Sequence, residues 1–268
     1  MLTKVVVCLI ASLFAGIGTG LAGMSAAVAI APLLMTFLGT SHFDAVTVSL
    51  ASDVLASLLG FIAYKKAKNV DIKNALVLMI SIIVFTFVGT IAGWFAEKYF
   101  GTTVMWYGTV ITIALMGFKL TFFPKTKLDE SEEMSTRRRI VISLLFGTLI
   151  GFVCGFVGAG GGMMMLFALT VFLGYDLHKS VGTSLLIMTC TAFIGGVFHI
   201  VFEGAAIGFS FANVDFVVLI LCVAFTLIFS VIASNIANRI SEKKLNLISG
   251  VMLIVIAAVV VIFNVIKL

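Results

Sequence analysis

Few residues in this chain are able to do chemistry, and they are set among apolar neighbours. Asp53 lies inside the apolar run 43 to 64, four residues after Ser49, so both side chains project from one face of one helix. An ionisable group at that depth in a membrane costs a few kcal/mol and is a functional candidate by default. Two roles fit it: carrying a proton, and making a structural hydrogen bond. Ser49 and Ser184, preceded by Val48 and Thr183, fall in the first turns of two helices. A hydroxyl there either touches a bound ligand or bonds back to its own helix. Asp71 and Asp215 directly precede long apolar stretches and read as N-caps. His199 and Glu203, at i and i+4 near a helix end, read as an interfacial pair, and His42 and His178 as solvated. The acids stand in no paired catalytic motif, and no serine or cysteine has a recognisable base partner, so no catalytic role is expected. Cys8, Cys154, Cys190 and Cys222 lie within apolar segments without metal-ligand spacing. They read as small core residues, with neither metal nor cofactor.

A second kind of chemistry belongs to the backbone. The stretch GFVCGFVGAGGGMMMLF, Gly151 to Phe167, holds six glycines, each weakening a helix by about 1 kcal/mol relative to alanine. Irregular backbone is tolerated at membrane depth where it lines a cavity, and half-helix N-termini in transporters point their free N–H groups at bound anions. The candidate anion contacts are Gly20, Gly23, Met24 and Ser25 in a first tip and Gly158, Gly160, Gly161 and Gly162 in a second, with Ser49, Thr183 and Ser184 behind them. Close helix packing through small residues is the competing account, and the spacing of Gly16/Gly20 and Gly151/Gly155 fits it well.

The elements that position these residues are membrane helices. With 62% hydrophobic and 11% charged residues among 268, a water-soluble surface cannot be clothed. Apolar runs cover 5–21, 24–39, 43–64, 72–96, 103–123, 140–157, 163–174, 179–202, 214–237 and 245–266, and several reach the roughly 20 residues that span a bilayer. Two pairs, 5–21 with 24–39 and 140–157 with 163–174, read as shorter pieces joined at glycines. Lys4 before an apolar run imitates a signal peptide, but the same kind of segment recurs mid-chain. The net charge of +5 sits in loops, including KKAKNVDIK, RRR and NRISEKK, which points to membrane loops and not to nucleic acid.

The chain is also duplicated. A shift of 135 residues aligns 16–60 with 151–195 without a gap, and five of the eleven identities are glycine, among them Gly20/Gly155 and Gly23/Gly158. This divides it into a first membrane repeat at 1–123, a cytoplasmic linker at 124–139 and a second membrane repeat at 140–268. If each glycine-broken pair is a hairpin, fourteen of the seventeen Lys and Arg face one side; if each is a single crossing, twelve do. The first split obeys the positive-inside bias better. The expected fold is therefore an all-α integral membrane protein of two inverted repeats, each a glycine-tipped broken or re-entrant helix pair plus three transmembrane helices.

GIGTGLAGMSAAVAIAPLL…FDAVTVSLAS and GFVCGFVGAGGGMMMLFALTVFLGYDLHKSVGTSLL resemble the paired signature of the TauE/SafE family of membrane permeases, and the likeness covers essentially the whole chain. It implies a multi-pass transporter in the cell membrane that moves, often exports, small sulfur-containing anions such as sulfite or sulfoacetate. An anion channel, or an uptake permease for another small anion, is the alternative. The expected partners are a small anionic substrate and the lipid bilayer, and the pattern is compatible with a homo-oligomer. Two features depart from the family pattern. Phe167 stands where the first copy has Pro32, and the first tip is poorer in glycine than the second.

Overall fold

The computed structural model describes residues 1–101, 135–157, 161–207 and 215–267, together with positions 107, 111, 114, 115 and 118. Within them the chain forms helices α1 (Leu2–Ala22), α2 (Ala27–Leu38), α3 (His42–Lys66), α4 (Ile72–Phe100), α5 (Thr136–Val157), α6 (Gly162–Phe167), α7 (Leu177–Ile207), α8 (Phe216–Ala237) and α9 (Glu242–Lys267). There is no strand among the described residues. Helix α6 continues as a π-turn over Ala168–Phe172. The run 103–123, apart from its isolated positions, and the linker up to 134 lie outside the described residues.

Among the described residues six helices, α1, α3, α4, α5, α7 and α8, are long and apolar enough to cross a membrane. Large side chains such as Leu76, Ile80 and Val84 on α4 and Ile220, Ile228 and Ile232 on α8 are exposed. Water would penalise such a belt, whereas lipid welcomes it. The first arms are not the short pieces expected from the apolar runs. Helices α1 and α5 have 21 and 22 residues, because each begins among charged residues, Lys4 and Arg137–Arg139, where hydropathy breaks off but the helix does not. Only the return arms are short, with 12 residues in α2.

Glycine sets how the helices pair. On α1, a Cβ at Gly16 would stand 2.6 Å from Phe229 Cβ, and one at Gly20 would stand 2.6 Å from Ala233 Cβ, both on α8. On α5, a Cβ at Gly151 would stand 3.0 Å from Ile82 Cα, and one at Gly155 would stand 2.6 Å from Thr90 N, both on α4. Close packing therefore accounts for these four glycines. The same contacts give direction. Lys4 meets Asp215, Ser12 Oγ donates to Cys222 O at 3.2 Å and Gly20 meets Ser234, so α1 and α8 run parallel. Ser230 Oγ donates to Ala56 O at 3.0 Å and Gly60 packs by Ser234, so α3 runs parallel to α8 as well. With α1 and α3 pointing the same way, α2 turns back between them.

Helices α4 and α5 are also parallel, and α6 returns from the tip of α5 to Tyr175, whose hydroxyl donates to Asp71 Oδ2 at 3.1 Å beside the start of α4. One hairpin thus starts and ends at the Lys4 face and the other at the Asp71 face. Asn69 Nδ2 donates to Asn238 Oδ1 at 3.0 Å, which puts the loops after α3 and α8 on one face. The buried interior has two parts. Among the described residues the larger joins α1, α2, α3, α7, α8 and α9 with Leu166 of α6, and the smaller joins α4, α5, the rest of the second return arm and Ile187 of α7.

Candidate functional site

The first tip is built by Gly23, which leaves α1 in the left-handed conformation at φ 60°, a conformation open to glycine without strain. Its N–H bonds to Thr19 O at 2.9 Å, and Thr19 Oγ1 donates to Met24 O at 2.8 Å, which fixes the turn. Met24 and Ser25 are buried, and α2 starts two residues later at Ala27. The first N–H groups of a helix have no partner within it. Here one partner is supplied from α3. Asp53 Oδ1 accepts from Ala26 N at 2.5 Å, Asp53 Oδ2 accepts from Ser25 Oγ, and Ser25 Oγ in turn accepts from Ala27 N at 3.1 Å. Asp53 is completely enclosed midway along α3.

The second tip repeats the backbone device with different chemistry. Gly161 is left-handed at φ 59° and its carbonyl accepts from Met165 N at 2.9 Å. A Cβ on Gly161 would collide with Cys154 Sγ. Gly158 and Gly160 lie outside the described residues. Gly162 brings the two tips together. A Cβ there would overlap Gly23 O and would stand 3.0 Å from both Ser25 N and Met188 Sδ. Met188 occupies in the second copy the position that Asp53 occupies in the first. No polar side chain therefore reaches Gly162 from that position.

Hydroxyls surround this junction. Ser184 Oγ faces Gly23 so closely that a Cβ on Gly23 would collide with it, while it donates to Val181 O at 2.8 Å. Ser49 Oγ donates to Ala45 O at 2.6 Å, back along its own helix, and so does not join Asp53. Thr183 Oγ1 accepts from Asp71 N at 3.1 Å, tying the second copy to the loop that follows α3. Gly20 belongs to helix packing, with its carbonyl accepting from Tyr64 Oη at 3.2 Å. The junction thus unites Gly23, Met24, Ser25, Asp53, Gly161, Gly162 and Ser184. Ser49, Thr183 and Gly20 stand behind it.

Other polar readings are sharpened. Asp215 is an N-cap, accepting from Val217 N at 3.0 Å and Val218 N at 3.3 Å. Asp71 reaches across to the second copy, to Tyr175 and to Lys179 Nζ at 3.6 Å. His178 is half-buried, and its Nε2 lies 3.1 Å from Ala237 O and 3.2 Å from Ile240 O. The side chains of His42, His199 and Glu203 lie outside the described residues. Met188 and Cys154 touch the tips but were not singled out by sequence reasoning; the pairing of Asp53 with Met188 in the repeat was the available signal for Met188.

A membrane-spanning bundle with two glycine tips meeting inside it is a transporter's architecture, and the comparisons agree. The chain is 26% identical over 219 residues to the probable membrane transporter protein YunE of Bacillus subtilis (strain 168), an alignment covering 73% of this chain and 78% of that protein. No solved structure matches it. Residues 8–260 match the family described as sulfite exporter TauE/SafE, and this chain, a multi-pass membrane protein, belongs to that family of membrane transporters.

Proposed function

We propose that this transporter exports small sulfur-containing anions, of the size of sulfite or sulfoacetate, by alternating access, with the anion held where the two tips meet. The carrying observation is the abutment of Gly162 on Gly23 and Ser25 at the buried junction. Backbone N–H groups, the Ser25 and Ser184 hydroxyls and the absence of Cβ atoms there suit an oxyanion that must be approached closely. The parallel directions of α1, α3 and α8, and the hairpins based on opposite faces, support two inverted repeats that rock about this junction.

Purified protein in liposomes tests the reading. Flux of labelled sulfite or sulfoacetate is expected to saturate and to show counterflow, whereas linear flux without counterflow indicates a channel. Sidedness is checked in a cysteine-free background. Ser241→Cys, in the loop after α8, is expected to resist an impermeant thiol reagent added from outside intact cells, and labelling from outside overturns the inverted arrangement.

A further inference from the structure

Asp53 is the one carboxylate, lysine, arginine or histidine among the described residues that is fully buried. Its hydrogen bonds lead directly to the tip junction. Oδ2 takes the hydrogen of Ser25 Oγ, and Oδ1 takes the N–H of Ala26. A serine hydroxyl has a single hydrogen and two acceptor positions. While Asp53 is ionised, that hydrogen is committed to the carboxylate and has nothing left to offer a ligand. When Asp53 is protonated the bond reverses: the carboxylic acid donates to Ser25 Oγ, which still accepts from Ala27 N. The serine hydrogen is then released toward the junction, where Ser25 N already faces Gly162. Both protonation states keep Asp53 hydrogen-bonded, as a reversible proton site requires.

We infer that Asp53 and Ser25 form a proton-linked relay in which each anion bound at the tip junction is accompanied by one proton taken up on Asp53, and Ser25 donates to the anion only in that state. This rests on the transporter reading and its junction site. Two effects act in the same direction. The proton frees a donor for the anion, and it removes a negative charge that would otherwise repel the anion in a dry interior. No covalent bond changes; the proton comes from water and returns there when the anion leaves.

The surroundings single out Asp53 as the group that titrates. On its own helix the titratable groups are His42, Asp44, Tyr64, Lys65 and Lys66, toward the two ends of α3. Helix α1 brings Lys4 and Cys8, α2 none, α8 only Cys222, and α7 brings His178, Lys179, Cys190, His199 and Glu203. Lys4, His178 and Lys179 stand at helix starts, far along the bundle from the middle of α3.

Sulfoacetate keeps both its charges between about pH 5.5 and 8, so its own titration does not intrude. Calorimetric binding of sulfoacetate to the detergent-solubilised protein, in two buffers of different ionisation enthalpy, is expected to show uptake of one proton per anion. Where Asp53 is ionised in the free protein, Kd should rise about tenfold per pH unit. In Asp53→Asn the amide donates to Ser25 Oγ and accepts from Ala26 N, imitating the protonated acid; its Kd is expected to lose the pH slope. Ser25→Ala, with Asp53 in place, should lose most of the slope and bind more weakly at low pH. Melting curves establish that both variants are folded. A wild type that binds and transports sulfoacetate with a pH-independent Kd overturns the relay alone, as does a slope retained in Asp53→Asn. A wild type that neither binds nor moves sulfoacetate, sulfite or related sulfonates overturns the junction site and the relay with it.

Discussion

The two tips share a backbone and differ in what answers it. Each turns through a left-handed glycine, Gly23 at φ 60° and Gly161 at φ 59°, and each sends back a short arm. In the first, α2 stays α-helical for 12 residues through Pro32, and a carboxylate from α3 is seated on its opening N–H groups. In the second, the arm holds six α-helical residues before widening into a π-turn, and Met188 stands where the carboxylate would be. The two tips thus reach the same close approach of backbone to backbone through glycines at different places, Gly161 aligning with Ala26 and not with Gly23, while a carboxylate answers only the first. Two buried carboxylates facing each other across the junction would repel one another and any anion between them. One carboxylate leaves the first tip self-neutralised and gives the junction a single group that can be switched.

The comparison breaks first if the tips need not touch. Gly162→Val would drive a side chain into Gly23 O and toward Ser25 N, backbone atoms that cannot step aside. Flux is expected to fall more than tenfold, with a clear loss of melting temperature. Gly195 is the control. A Cβ there would meet only Leu50 Cδ1 at 3.9 Å, so Gly195→Ala should melt at the same temperature or higher, by up to about 1 kcal/mol of helix propensity. Normal flux in Gly162→Val would mean that the working protein keeps its tips apart. Next in size is Met188→Asp, which gives the second tip a carboxylate but no serine partner, since Gly160 aligns with Ser25. The buried acid should cost roughly 1–3 kcal/mol and depress flux most at alkaline pH, where its charged form is favoured. Thermal melts and flux at two pH values decide this. A variant as active as wild type at alkaline pH would show that the difference between the tips has no consequence.

Much of this was legible from composition and spacing. Apolar runs and loop charges pointed to the helical membrane protein, Gly23 among the aligned glycines marked the first turn, and the dense run Gly160 to Gly162 marked the second. The partner of Asp53 was not legible. Helical periodicity pairs Asp53 with Ser49, yet Ser49 Oγ bonds to Ala45 O within its own turn, and the group that meets Asp53 is Ser25, 28 residues away on another element. Periodicity reports which face a residue is on, never what is packed against that face. The first-arm lengths were missed for a different reason. Hydropathy falls at Lys4 and at Arg137–Arg139, but long basic side chains at a helix end carry their charge out to the interface while the helix continues beneath them. The ties of Asp71 to the second half were hidden likewise, because a residue just before a helix reads as a cap whatever else its carboxylate meets, here Tyr175 and Lys179.

The smallest expected effect concerns how the two copies are tied at their faces. At one face Lys4 of the first copy pairs with Asp215 of the second at 2.5 Å; at the other, Lys179 of the second pairs with Asp71 of the first at 3.6 Å. The hydrogen bond from Lys4 holds the Asp215 carboxyl below the usual carboxylate range against a smaller opposing desolvation, with the N–H groups of Val218 and Val217 adding to it. A carboxylate whose folded value is depressed stabilises the fold above its unfolded value, and that contribution is lost as pH falls through the folded value. Asp215→Asn keeps an N-cap, since asparagine caps about as well as aspartate, and removes only the charge. The pair is partly exposed, so its loss should cost no more than about 1 kcal/mol. Melting in detergent is therefore expected to show a small deficit for Asp215→Asn at pH 7 that shrinks below about pH 4 as wild-type Asp215 takes up its proton. The deficit should also shrink at high salt, where an exposed pair is screened. A deficit that persists unchanged in acid and in salt would assign Asp215 a role in the fold beyond its charge, and the tie at the Lys4 face would then be a matter of packing.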